Sequence, residues 1–252
     1  MWAGIEGAPN TQFLAAEGTF YRKKIGWGVQ IENDQFGLLS QKKVLLNSTY
    51  RIRTGKKSFL AFGPGFGIKQ HVFDGTKASA YQMQDDAIAQ GQMSQVKPTV
   101  NLGVFMQSPR YQIGLSVENA LGYDINYTGL PRPVSARAKE RFYFIAGVHL
   151  PLTKGLELIP LVQVKYEHNN PFQVDFTPMI EYNSQLSFGV GYRHGESVSF
   201  ICQNKFSQKF RIGYAYDYQT NGLNGVNNGS HELMISYSLG TNNPIFSNPR
   251  YF

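Results

Sequence analysis

Apolar and polar residues alternate one by one over most of this chain. The pattern is clearest in residues 209–239, KFRIGYAYDYQ, a Gly/Asn-rich stretch, and SHELMISYSL. Phe210, Ile212, Tyr214, Tyr216 and Tyr218 are separated by Arg211, Gly213, Ala215 and Asp217. Leu233, Ile235, Tyr237 and Leu239 are separated by Met234, Ser236 and Ser238, with Glu232 preceding them. Period-two alternation marks a half-buried strand, because successive side chains point to opposite faces. The same rule predicts thirteen strands, at 11–21, 25–32, 43–52, 58–70, 96–107, 111–117, 142–150, 156–167, 172–182, 185–194, 197–205, 209–219 and 231–240. No convincing helix and no fixed-period repeat interrupts them.

Numbered in order, the connections fall into two classes. Those at 22–24, 53–57, 108–110, 151–155, 183–184 and 206–208 are all short. Those at 1–10, 33–41, 72–95, 118–140, 168–171, 195–196 and 221–229 include every long one. An up-and-down strand order puts the two classes at opposite ends. Short turns at one end and long loops at the other are the mark of an outer-membrane β-barrel, and a Greek-key sandwich is not expected to segregate loops in this way. Thirteen strands would also enclose a lumen too wide for side chains to fill as a dry core. The expected fold is therefore all-β, an antiparallel up-and-down transmembrane barrel spanning 1–252 as one domain. Such barrels have even strand numbers, which suggests a fourteenth strand and an export signal ahead of Trp2.

The two faces differ as a membrane barrel requires. One carries Ile, Val, Leu, Phe and Tyr, with Tyr frequent near strand ends; the other carries Gln30, Glu32, Glu157, Gln163, Lys165, Asp175, Glu181, Arg193 and Arg211. Alternation alone does not say which face points inward. Gly63, Gly65 and Gly67 predict curvature or close backbone approach in one strand.

Composition fits this picture. The 252 residues include 15 Tyr, 18 Phe and 26 Gly, with 16% charged residues. No apolar run is long enough for a transmembrane helix. The net charge of +7 comes from short clusters such as Lys42-Lys43 and Lys56-Lys57 at strand ends, without a nucleic-acid-binding motif. Solvated turns or contact with anionic lipid headgroups account for them. One cysteine, Cys202, excludes an internal disulfide.

Chemistry is sparse. The five histidines, His71, His149, His168, His194 and His231, are widely separated and lack zinc-ligand spacing. Asp85-Asp86 lacks the glycine-centred pattern of a calcium loop. No Gly-x-Ser-x-Gly appears, and His231 and Glu232, as strand neighbours, point to opposite faces. The reading is of no enzyme, no cofactor and no metal. The stretches that stand out are 72–95 and 118–140, since loops of that length are usually functional or disordered. Tyr81, Met83, Met93, Leu121, Tyr123, Tyr127, Leu130 and Arg132 supply anchors for a protein partner. Lumen plugging is the competing role for these loops. The tail at 241–252 is a weaker candidate for partner contact.

Several motifs carry a resemblance. Residues 2–11 (WAGIEGAPNT), 33–37 (NDQFG), 191–197 (GYRHGES), 211–217 (RIGYAYD), 229–237 (GSHELMISY) and the closing PRYF of 249–252 resemble the PorP/SprF family of outer-membrane proteins, associated with type IX secretion in Bacteroidota. The resemblance implies a non-enzymatic accessory barrel of the secretion and gliding apparatus. It further implies partners among a large secreted adhesin, the translocon and periplasmic ring components. A diffusion porin is the alternative on the same fold, and an outer-membrane hydrolase a more distant one.

Overall fold

A computed structural model describes residues 7–20, 24–77, 91–127, 134–222 and 228–239. The strands in chain order are β1 (Asn10–Phe20), β2 (Ile25–Phe36), β3 (Leu39–Arg53), β4 (Phe59–Asp74), β5 (Gln92–Gln107), β6 (Tyr111–Glu118), β7 (Tyr123–Tyr127) and β8 (Val134–Ala138). They continue with β9 (Arg141–Val148), β10 (Leu150–Thr153), β11 (Leu156–Glu167), β12 (Gln173–Tyr182), β13 (Leu186–Arg193), β14 (Ser197–Lys205), β15 (Phe210–Gln219) and β16 (Ser230–Tyr237). A 3-10 turn, Gly75–Lys77, follows β4. No described helix is long and apolar enough to cross a membrane.

Fourteen of the strands form one antiparallel up-and-down sheet, ordered β1-β2-β3-β4-β5-β6-β9-β11-β12-β13-β14-β15-β16, with β10 beside β11. The thirteen positions across this sheet are the thirteen strands expected from alternation. β9 and β10 together make the strand expected at 142–150, and both pair with β11, in one register through Pro151 with a shift at Thr153. The break between them lies where that register sets Val148 against Pro160, which has no N–H to donate. Among the described residues β1 and β16 each have one neighbouring strand, so no pairing closes the sheet there.

Two departures concern strand length. β2 and β3 continue past the expected loop at 33–41, in register from Ile25↔Tyr50 to Phe36↔Leu39. Asn33 and Asp34 suggested a turn because such residues favour turns. Here they are extended, and Thr11 Oγ1 bonds Asp34 Oδ1 at 2.8 Å. The reversal falls instead at Gly37, whose φ of 55° suits glycine. Likewise β4 runs to Asp74 and β5 begins at Gln92, so the connection between them is shorter than 72–95.

Burial settles the question that alternation left open. Leu46, Phe66 and Leu115 on the outer face are 59–60% exposed, whereas Lys69 and Gln112 on the inner face are 2% and 3% exposed. This is inside-out relative to a soluble protein, in which large apolar side chains leave water. Phe20, Tyr50, Tyr111, Tyr182 and Tyr237 are exposed on the outer face near the short-turn ends of their strands, as in the aromatic girdle of a barrel. Beyond them the short turns carry Lys24, Lys56, Lys57, Arg110, Lys154 and Lys209, and no described acidic residue.

The sheet also curls. Three strand spacings separate β3 from β6, about 14 Å in a flat sheet. Yet Lys43 Nζ lies 3.6 Å from Glu118 Oε1. The glycines expected to mark curvature sit on the inner face of β4, where Gly63 stands opposite Gly103 and Gly67 opposite Leu45. A Cβ on Gly67 would fall on the carbonyl oxygen of Val44 and within 2.9 Å of Leu45 Cα. β3 and β4 pack that closely only because the side chain is absent.

Candidate functional site

The most connected polar group is Glu118, the last residue of β6. Lys69 from β4 donates to Glu118 Oε1 at 2.9 Å and to Asn119 Oδ1 at 2.7 Å. Arg141 from β9 reaches Glu118 Oε2 at 3.3 Å with one guanidinium nitrogen and Glu167 Oε2 at 2.9 Å with another. Tyr143 donates to Glu118 Oε2 at 3.4 Å. Lys43 bridges Glu32 at 2.6 Å and Glu118 at 3.6 Å. Three cations and three carboxylates from β2, β3, β4, β6, β9 and β11 thus form one balanced lattice across the lumen wall. The Lys69 side chain is 3% exposed and that of Glu118 15%. Charges so far removed from water persist only when paired.

The chain leaves this lattice through Asn119, which has a left-handed φ of 54°. Asn119 Oδ1 accepts from Thr99 Oγ1 at 3.1 Å, and its backbone N–H donates to Asn101 Oδ1 at 3.2 Å. Asparagine tolerates this conformation better than most residues. The segment then forms the antiparallel hairpin β7–β8, with register Tyr123↔Ala138 to Tyr127↔Val134.

The hairpin folds onto the inner face of the β4–β5 extension. The Tyr123 hydroxyl shares a 2.9 Å hydrogen bond with His71 Nε2. The Tyr127 ring packs on Phe73 with centroids 5.7 Å apart. The Gln95 side-chain amide acts as a strand edge, accepting from Asn126 N–H at 3.2 Å and donating to Asn126 O. Ile125 and Tyr127 are buried. Burial, and then the nearby Glu118 charge, push the Tyr123 phenol up to about 12, and burial raises that of Tyr127. Both stay neutral through the physiological range.

Two outcomes are expected on variation of the hairpin. Tyr123→Phe removes one hydrogen bond and should loosen docking by about 1 kcal/mol. Tyr127→Ala empties a buried aromatic site and should cost about 3 kcal/mol. Limited proteolysis within 119–140 reads both, with faster cleavage in Tyr127→Ala than in Tyr123→Phe. Equal cleavage in the two variants and the parent would mean that these contacts do not hold the hairpin.

The anchors expected from sequence are thus distributed unevenly. Tyr123 and Tyr127 face the protein. Met93, opposite Phe73 on the same wall, is half-buried. Leu121 is 71% exposed beside the hairpin. Tyr81, Met83, Leu130 and Arg132 lie outside the described residues, as does the tail at 241–252. The charge lattice itself was missed, because its members are single charged residues spread over 135 positions, from Glu32 to Glu167, in otherwise ordinary strands. The one local hint was an apolar-alternating strand, β6, ending in a lone Glu followed by Asn.

Among the other groups, His231 Nδ1 lies 2.7 Å from the Tyr214 hydroxyl on the outer face, while Glu232 faces the interior. The two point apart, as strand neighbours must. Among the described residues no three of His, Cys, Asp and Glu gather to hold a metal. Cys202 is exposed on the outer face.

An inside-out, up-and-down sheet of barrel type, with an ion-pair lattice on part of its inner face and a hairpin folded over one end of its wall, defines a β-barrel class of membrane protein. Within it, the family model for type IX secretion system membrane protein PorP/SprF matches residues 1–237, and the chain belongs to that family. A search of curated proteins finds no match to the chain.

Proposed function

We propose that this protein is a non-enzymatic accessory barrel of the type IX secretion and gliding machinery, seated in the outer membrane. In this reading it helps a large secreted adhesin across the membrane or holds it at the surface. The translocon and periplasmic ring components are its further partners, and lipid surrounds its outer face. The carrying observation is the match over residues 1–237 to a secretion-system membrane family. The interior supports an accessory role over that of an open porin. Six charges are tied to one another across the wall, and the β7–β8 hairpin folds inward at the loop end. The basic short turns, beyond an aromatic girdle, suit the headgroups of a membrane leaflet.

The test is deletion and complementation in the native host. Loss of one large protein from the cell surface, with its recovery beside the barrel in mild detergent, is the expected result. Recovery of the barrel alone, with strong single-channel conductance and an unchanged surface proteome, would overturn this reading and leave a porin.

A further inference from the structure

The inner wall of β11–β15 is not uniformly polar. The register sets Ile159 opposite Met179, Met179 opposite Gly189, Gly189 opposite Ile201 and Ile201 opposite Ala215. An apolar row therefore crosses five adjacent strands on the face that elsewhere carries charge. It floors a cavity of about 220 Å³. Water-filled lumens gain nothing from such a row, since apolar surface facing water is unfavourable.

Carboxylates flank the row on both sides. Glu181 lies two residues from Met179 towards the short-turn end, and Asp217 lies two residues from Ala215 towards the loop end. Glu232 stands opposite Ala215. All three line the cavity. Among the described residues none has an ion-pair partner, and Glu181 has only the Ser187 hydroxyl at 3.4 Å. Glu181 also directly faces Glu157, an unfavourable like-charge pair. Glu157 has His149 Nδ1 at 3.3 Å. Of the cations lining the cavity, Arg193 is taken by Asp175 at 2.9 Å and by Glu196 at 3.2 Å, which leaves Arg211. Three unpaired carboxylates against one arginine leave the cavity negative.

A separate observation points to an occupant. Gln112 lines the same cavity and is 3% exposed, and its Oε1 has no hydrogen-bond partner. A buried amide acceptor without a donor carries a desolvation cost that an incoming N–H would relieve.

We infer that this cavity is a binding site for an extended peptide segment of the pattern basic–x–apolar–x–basic. Alternate residues of an extended chain are about 6.6 Å apart, which matches the rise from Glu181 to the Met179 level and from the Ala215 level to Asp217. The two carboxylates also lie three strands apart, a sideways gap of about 14 Å in a flat sheet that long basic side chains must reach across. The apolar side chain covers the Ile159–Met179–Ile201 floor, the two basic side chains meet Glu181 and Asp217, and a peptide N–H satisfies Gln112. The inference rests on the secretion reading only for the source of the segment, a secreted partner.

The experiment uses the whole chain reconstituted in zwitterionic lipid nanodiscs. Fluorescence anisotropy is measured with three labelled heptapeptides: acetyl-Ser-Arg-Gly-Leu-Gly-Arg-Ser, its Leu-to-Ser analogue and its Arg-to-Glu analogue. The first should bind at least tenfold more tightly than either analogue. Glu181→Gln with Asp217→Asn should weaken it about tenfold, while heat-modifiable gel migration stays that of the parent. Equal binding of the three peptides, binding by none, or unchanged binding in the double variant would overturn the site. A protein that binds the first peptide but whose deletion leaves secretion intact overturns the secretion reading alone. A protein needed for secretion that binds no peptide overturns the site alone.

Discussion

Glu118→Gln is expected to be among the most damaging conservative substitutions in this protein. The amide keeps the shape of the carboxylate but removes the charge that Lys43, Lys69 and Arg141 share. Lys69 would then lose its ion pair while its side chain is 3% exposed, keeping only neutral acceptors, Asn119 Oδ1 and the new amide oxygen. Leaving a buried charge without its counter-charge typically costs about 3–5 kcal/mol. The loss should appear in urea titration of the detergent-solubilised protein, read by heat-modifiable migration on gels. Glu196→Gln is the matched control. Glu196 also pairs with an arginine, but its side chain is 43% exposed, and exposed pairs contribute about 0–1 kcal/mol. If the two variants unfold at the same urea concentration, the lattice is not a stabilising element.

Gly67→Ala should be nearly as severe, for a different reason. The added methyl meets the backbone of β3 at Val44 and Leu45, which cannot swing aside as a flexible side chain can. Relief requires β3 and β4 to part, and the register from Leu39↔Phe73 to Arg53↔Phe59 depends on their pairing. Overpacking of this kind costs about 1–3 kcal/mol and more where backbone must move. A glycine on the same inner face serves as control. At Gly28 the nearest atom to an added Cβ is Asn47 Cβ at 3.7 Å, an ordinary contact, so Gly28→Ala should be close to neutral. Comparable yields of folded barrel from the two variants would show that the strands are not packed as tightly as described.

The fold was legible because a strand's face is a local property. The strands of the main sheet announced themselves through alternation, while β7 and β8 lay within the stretch read as a connection at 118–140, and loop lengths ordered the ends without any knowledge of contacts. What alternation cannot encode is which face meets water. That took the exposure of Leu46, Phe66 and Leu115 against the burial of Lys69 and Gln112. Turn residues misled at Asn33 and Asp34, where a long hairpin holds them extended. The lattice around Glu118 was illegible for a further reason. Its partners meet through the curl of the sheet, and they lie on β2, β3 and β4 on one side of the connection between β4 and β5 and on β6, β9 and β11 on the other. The apolar row of Ile159, Met179 and Ile201 was present in the sequence but hidden. In β11, apolar residues stand on both faces from Leu158 to Val162, so its alternation fades where the row begins.

The prolines of β11 and β12 have a mechanical consequence. Pro160 and Pro178 stand opposite each other in neighbouring strands. On the β9 side the ladder lapses at Pro160. On the β13 side the paired residues skip from Phe176↔Tyr192 to Met179↔Gly189, passing over Pro178. Both flanks of the β11–β12 hairpin are therefore thinly hydrogen-bonded at one height, on the wall that floors the interior cavity. The hairpin is held to β9 and β10 on one flank and to β13 on the other, above and below the proline level and not at it, so backbone bonding on this wall is weakest where the apolar row crosses it.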